Sequence, residues 1–566
     1  MIRKIIFGIT CFSVIAVKAQ VMSLPTDDAL KVDYPSSFEP KAGYPIAEKL
    51  ASYKRIKLES DLSKLNEGEK KALGFMIEAA KHADNIFWMQ SYGNKDSVMS
   101  RVKDENLKQF MLLNYGPWDR LNDDASFVKG IGEKPAGAGF YPKDMTKMEY
   151  DSIYGQSPVD ANTIVLRNPE GRLEQRPYFM VYQQEITELS MNLMRASEAV
   201  GPQSGKDADM ELSQFLRMRA EAIMMNGYQP SDIEWLKLKK SNLDIIIGPI
   251  ENYEDKLNGV RNAFEAYVLI RDKDWGSKLD KYISFLPELQ ANLPVDSIYK
   301  SEKVNNSGSQ LAVFDAVYYA GDCNAGSKTI AVNLPNDEQI QKEHGTRRSQ
   351  LKNVMRAKFD NMVVPISQMV IDPAQRASVN FDAFFNNVMF HEVAHGLGIK
   401  NTIDGKTTVR EALGANYSAI EECKADVLGL YMVTQLVDKG ELSGKLEEYY
   451  VTFTASIFRS VRFGASSAHG RANMITFNTL LNAGAIVRQS NGTYKVNVDV
   501  MKKTIQKLAG ELLVLQGNGN NDAVTEYLAT KAIVPSALGK DLDKINKSGI
   551  PVDLIFEQGK SVLGLE

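Results

Sequence analysis

The sequence predicts an α+β protein in which a mixed α/β part faces a helical part. Three observations carry this. Strand-like runs rich in Ile, Val and Tyr cluster mid-chain, at residues 245–247, 267–270, 313–319 and 329–332. After about Phe359 the chain is almost entirely helical pattern. With 566 residues, more than one hydrophobic core is expected. The N-terminal part is predicted helical, because Leu73, Phe75, Met76, Ala79, Ala80, Ile86 and Phe87 recur at helical spacing. A Gly/Pro-rich aromatic loop follows over about residues 115–145, with Trp118 and Tyr141, and an Asn/Ser-rich loop is expected at 301–309. No internal repeat or low-complexity segment is seen.

Residues 1–19 read as a secretory signal. Arg3 and Lys4 precede an apolar stretch to Val17, and Val17-Lys18-Ala19 offers a small-residue cleavage site. The expected location is therefore exported, periplasmic or secreted. The apolar run is too short to span a bilayer, so no integral membrane segment is expected once the signal is removed. Removal takes Arg3, Lys4 and Lys18, moving the net charge from −4 to about −7, which leaves no footprint for nucleic acid. Cys323 and Cys423 would remain, and a chain this long can dispense with disulfides. Cys423 is expected as a buried small hydrophobe.

The chain holds five histidines, and two of them fall in His391-Glu392-Val393-Ala394-His395. On a helix His391 and His395 stand one turn apart, so both imidazoles can reach one zinc ion, and Glu392 can take a proton from a water held there. Phe381, Phe384, Phe385, Val388, Met389 and Phe390 precede the pentad, which marks a buried helix, and Gly396 and Gly398 supply the freedom to end it. Catalytic zinc takes a third protein ligand. Asn401 stands where H-E-x-x-H-x-x-G-x-x-H would place a histidine, and Asp404 sits in an Asp-Gly turn. Glu422 is the better third ligand. Asp426, four residues on and on the same face, can receive the N–H of a ligating histidine. Ser418 with Glu421 forms a capping-box signature, and Glu421 fits an acidic first helical turn or an outer-shell partner.

H-E-x-x-H followed by Glu421-Glu422-Cys423-Lys424-Ala425-Asp426 resembles the zinc site of the dipeptidyl peptidase III family of metallopeptidases. Gly248-Pro249-Ile250-Glu251-Asn252-Tyr253 is similar to the family's Glu-x-Tyr segment, Asn333-Leu334-Pro335-Asn336 to its Asn-x-Pro-Asn segment, and Ala468-His469-Gly470 to the position of its second-lobe histidine. A divergent branch, including a module fused behind Nudix domains in plants, shares stretches such as residues 140–145, 462–464 and 550–553. The resemblance implies two lobes around a wide cleft, a mostly helical zinc lobe facing a mixed α/β lobe with a β-barrel-like core. It divides the chain into a substrate lobe (20–270 and 308–360), a helical segment (271–307), a zinc lobe (361–545) and a return to the substrate lobe (546–566). Two departures stand out. Most family members carry one more residue between Glu392 and the second histidine, and Lys547-Ser548-Gly549-Ile550 lacks the family's Arg-Lys pair.

The expected activity is hydrolysis of peptide bonds near the free N-terminus of oligopeptides, releasing dipeptides. One zinc ion would sit on His391, His395 and Glu422, with Glu392 as general base and Tyr253 and His469 supporting the oxyanion. Glu251, Asn333 and Asn336 would receive the ammonium group, and Arg471 could bind a substrate carboxylate. Two other classes stay open: a zinc hydrolase of another amide or ester, and a weakly active zinc-fold peptide-binding protein.

Overall fold

The computed structural model describes residues 34–155, 160–300 and 309–565. The predicted signal at 1–19 and, of the loop predicted over 301–309, all but Ser309 lie outside the described residues; Ser309 begins a strand. Glu67–Ser91 (α1) begins at a capping box, in which Asn66 and Glu69 satisfy each other's backbone N–H. Its apolar stripe packs on Gln183–Val200 (α2) and on the sheet that follows. That sheet consists of Leu243–Glu251 (β1), Ala263–Arg271 (β2), Ser309–Gly321 (β3), Ala331–Leu334 (β4) and Thr346–Leu351 (β5), in the order β1-β2-β3-β5-β4. Neighbours are antiparallel except β3 and β5. No pairing joins β1 to β4 among the described residues, so the barrel-like core is an open sheet.

The sequence pattern misses β5, which reads Thr-Arg-Arg-Ser-Gln-Leu. It is an interior strand whose polar side chains are mostly buried, Arg347 paired with an acid and Ser349 and Gln350 enclosed without side-chain partners. Arg347 is fully buried, 2.7 Å from Asp244 and with its guanidinium 4.2 Å from the Trp235 ring centroid. From β5 the chain runs on through Lys352–Lys358, the π-helical turn Phe359–Val363 and Val364–Val370. Pro365 sits at the start of the last piece, where a proline can neither donate to the preceding turn nor fit beside its carbonyl. The π turn absorbs that mismatch without breaking the rod.

Lys273–Ser284 (α3) packs on β3, and its aromatic side chains reach the helical part. Trp275 lies 4.5 Å from Phe385 and Tyr282 lies 5.4 Å from Phe390, between ring centroids. The helical part comprises Phe381–Ala394 (α4), Tyr417–Asp438 (α5), Leu446–Ser460 (α6), Ala468–Asn482 (α7) and Val498–Asn518 (α8). α5 is buried almost all round and packs on the other four. Its approach to α4 is set by Gly429. A Cβ there would lie 2.9 Å from the His391 backbone nitrogen and 3.0 Å from the Phe390 carbonyl carbon. Gly429→Ala is therefore expected to push the helices apart at the pentad. It should cost about 1–3 kcal/mol as overpacking and weaken metal binding, read by denaturant unfolding and metal titration.

The chain returns to its beginning at its far end. Leu554–Glu557 pairs in parallel with Lys54–Lys57, and buried Asp553 bonds Lys358 at 3.1 Å and the Lys328 backbone N–H at 2.9 Å. Among the described residues, no helix is long and apolar enough to cross a membrane.

Candidate metal centre

α4 starts where the Asn380 side chain accepts from the Ala383 N–H, and its regular part ends at Ala394. His395 keeps right-handed helical backbone, so its ring stays above that of His391, with centroids 4.9 Å apart. Gly398, at φ +83°, turns the chain away; a Cβ there would strike Leu513 at 2.6 Å. α5 brings Glu422 beneath the two rings. The nearest ligand atoms of His391, His395 and Glu422 all lie within 4.8 Å of one another.

The start of α5 differs from expectation. Ser418 does not cap it; Asn416 is the N-cap residue and turns its amide to Asn521 and Thr525, because a 3-10 turn over Gly414–Asn416 already leads into the helix. Glu421 is not a solvated first-turn acid. It is 9% exposed, takes the His395 Nδ1–H at 2.9 Å and the Lys424 ammonium at 2.7 Å, and accepts from Gln516 at 2.8 Å. Burial pushes its carboxyl up, but Lys424 and the His395 hydrogen bond together hold it well below the usual range. Asp426 takes the His391 Nδ1–H at 2.7 Å and is itself held by Asn473 at 2.9 Å.

Each histidine thus has Nδ1 turned to an acid, which in the neutral ring makes Nε2 the ligating nitrogen. Those nitrogens lie 3.2 Å (His391) and 3.7 Å (His395) from Glu422 Oε2, and His469 Nε2 lies 3.1 Å from it. Yet this buried oxygen receives no hydrogen bond of good geometry. Two ring nitrogens and an unsatisfied carboxylate oxygen facing one point are the N, N, O donor set that suits a catalytic zinc ion, so the residues fit that metal. Asp426→Ala is expected to weaken zinc binding about 10–100-fold by freeing the His391 ring, as measured by competition with a chelating dye.

Glu392 is partly buried, and no hydrogen bond or ion pair holds its carboxylate among the described residues. Arg348 on β5 feels its charge, so the sheet reaches this side of the centre. His469 sits in the first turn of α7, capped by Ser467, with its side chain 65% exposed. The Glu422 carboxylate beside its Nε2 raises its pKa. Arg471 makes no ion pair among the described residues, and its Nε is enclosed without a partner.

On the sheet side, Glu251 ends β1 and Asn336 donates to the Ile250 carbonyl at 3.2 Å. Burial raises the Glu251 pKa against hydrogen bonds from Asn336 and Tyr253. Tyr253 is 71% exposed, and its hydroxyl is pushed up to about 12, chiefly by the Glu251 charge. Glu251 and Asn336 share one cavity of about 1050 Å³, which Asn333 does not line. Asn333 is exposed on β4, opposite Arg348 of β5. The structure therefore forms two groups: His391, Glu392, His395, Glu421, Glu422, Asp426 and His469, and separately Glu251, Tyr253 and Asn336. No hydrogen bond or ion pair joins them among the described residues. Sequence reasoning missed Asn473 and Gln516, single polar residues with no motif spacing to give them away, and Lys424, whose i,i+3 spacing from Glu421 was the available signal.

Comparison with known proteins agrees with this arrangement. The profile of peptidase family M49 matches residues 176–407. Nudix hydrolase 3 of Arabidopsis thaliana is 33% identical over 575 residues, covering 90% of this chain and 73% of that protein. The structure of DPP III from Caldithrix abyssi superposes with a TM-score of 0.85 at 34% identity, over 91% of this chain and all (100%) of the other. Dipeptidyl-peptidase III from Corallococcus sp. strain EGB gives 0.77 at 36% identity, over 90% and 96%. The mixed α/β and helical lobes are thus those of the dipeptidyl peptidase III fold. The chain belongs to peptidase family M49, the dipeptidyl peptidase III family, and is a metallopeptidase that cleaves peptides.

Proposed function

We propose that this metallopeptidase is zinc-dependent and releases dipeptides from the free N-terminus of oligopeptides. The observation that carries the reading is the pair of histidines whose Nδ1 atoms are locked by Asp426 and Glu421 while Nε2 faces an unsatisfied Glu422 oxygen. His391, His395 and Glu422 hold one zinc ion. When bound, it supplies a Lewis acid that polarises the scissile carbonyl and acidifies water.

Glu392, unengaged and beside the centre, takes the proton of the attacking water and passes it to the departing amine. His469 and Tyr253 donate hydrogen bonds to the oxygen that gains charge, His469 from the helical lobe and Tyr253 from the sheet lobe. Glu251 receives the substrate's ammonium group, and burial, which makes its own charge costly, favours a cationic partner. Asn336 fixes the approach, with Asn333 further along the strand; Arg471 is kept as a carboxylate contact on the α7 side. The substrate is an oligopeptide. The basic start and apolar run of residues 1–19 support export to the periplasm or outside the cell.

The test is the purified protein assayed on unblocked and N-acetylated peptides, with products read by mass spectrometry, before and after chelation. N-terminal dipeptides restored by zinc are the expected result. Cleavage at internal bonds alone, or of non-peptide amides alone, would overturn the reading.

A further inference from the structure

The cavity at Glu251 and Asn336 runs on past those two residues to Ala161, Gln229 and Glu338. None of His391, Glu392, His395, Glu422 or His469 lines it. Its volume, about 1050 Å³, is at the upper end of the ~300–1,000 Å³ that encloses a drug-sized ligand. That is more space than the side chain of one N-terminal residue fills. A dipeptide whose ammonium group rests on Glu251 would leave most of it to water.

Four carboxamides of the wall share one polarity, while Asn162 is held through its oxygen. Gln229 donates its amide N–H to Asp337 at 2.8 Å, Asn252 to the Gly259 carbonyl at 2.6 Å, Asn262 to Asn162 at 3.1 Å and Gln341 to the Pro335 carbonyl at 2.9 Å. Each of the four is anchored through nitrogen, and its oxygen accepts no hydrogen bond among the described residues. The cavity therefore presents acceptors, which suit backbone N–H groups and an ammonium group. Glu338, exposed at the start of its helix and without an ion pair among the described residues, adds a free carboxylate. Of the two cations on the wall, Arg219 is paired with Asp232, and Arg410 lies over the Tyr417 ring at 5.0 Å.

We infer that the enzyme also releases N-terminal tripeptides, with the additional residue housed in this cavity and its ammonium group carried to Glu338. The inference rests on the reading of Glu251 and Asn336 as the N-terminal anchor. In this mode Glu251 accepts a backbone N–H of the second residue. The chemistry is unchanged but displaced by one residue: water oxygen bonds to the third carbonyl carbon, the bond to the fourth nitrogen breaks, and the water proton leaves on that amine. One extra extended residue needs only about 3.5 Å of further depth.

The experiment uses the full zinc-loaded protein on a decapeptide with a free N-terminus, with initial products quantified by mass spectrometry. A tripeptide of residues one to three cannot arise from successive dipeptide removal, so its source is unambiguous. We expect it at a tenth or more of the initial N-terminal product. Ala161→Trp, which places bulk on the cavity wall, is expected to lower the tripeptide-to-dipeptide ratio at least 5-fold. Dipeptides with no tripeptide would overturn the inference and leave the proposed function standing; absence of both would overturn the two together. Where the variant does not fold, the product ratio of the unaltered protein decides. A tripeptide yield that Ala161→Trp leaves unchanged would remove the cavity from the account.

Discussion

Glu392→Gln is expected to lower kcat/KM by about 10²–10⁴-fold while leaving the bound metal in place. Gln keeps the shape of the side chain and loses only the basic oxygen. Glu392 touches neither histidine ring through a hydrogen bond, and the Nδ1 atoms that orient those rings belong to Asp426 and Glu421. Metal content and rate should therefore separate. Peptide hydrolysis measured beside metal stoichiometry checks this; a rate within tenfold of the parent, with zinc retained, would exclude Glu392 as the base.

Asp244→Ala is expected to destabilise the sheet lobe by about 3–5 kcal/mol, the usual cost of stripping a buried charge of its partner. Asp244 is fully buried and answers three donors: Arg347 at 2.7 Å, Arg271 at 3.0 Å and the Trp235 indole N–H at 2.8 Å. Alanine would leave two guanidinium groups inside the protein with no opposing charge. Asp244→Asn retains acceptor capacity and should recover part of the loss. Urea unfolding followed by tryptophan fluorescence reports on this directly, because Trp235 is one of the partners. A change under about 1 kcal/mol would mean the cluster is neutralised some other way.

The same cluster explains where the sequence is hard to read. Strands β1 to β3 are legible because their apolar runs match a sheet covered on both faces. β5 is not, because Arg347, Ser349 and Gln350 are buried by pairing and enclosure, and hydrophobic patterning cannot see that. At the metal centre the ligands are legible from spacing, since a four-residue interval on a helix fixes a common face. Asp426 is legible for the same reason. Asn473 and Gln516 lie on other helices, and only tertiary packing brings them to Asp426 and Glu421. Ser418 misleads because a capping signature describes local preference, and the 3-10 turn before α5 overrides it.

The parallel pairing of Lys54–Lys57 with Leu554–Glu557 has a consequence for biosynthesis. At ~5–20 residues per second, the ribosome would complete the second strand about 25–100 s after the first. Through that interval the early strand has no partner and offers open backbone groups to any passing chain. Its composition is suited to the wait: Lys54, Arg55 and Lys57 place three cations on four residues, all exposed. Two nascent copies carrying like charge on this edge repel each other, so the strand stays single until its own partner emerges.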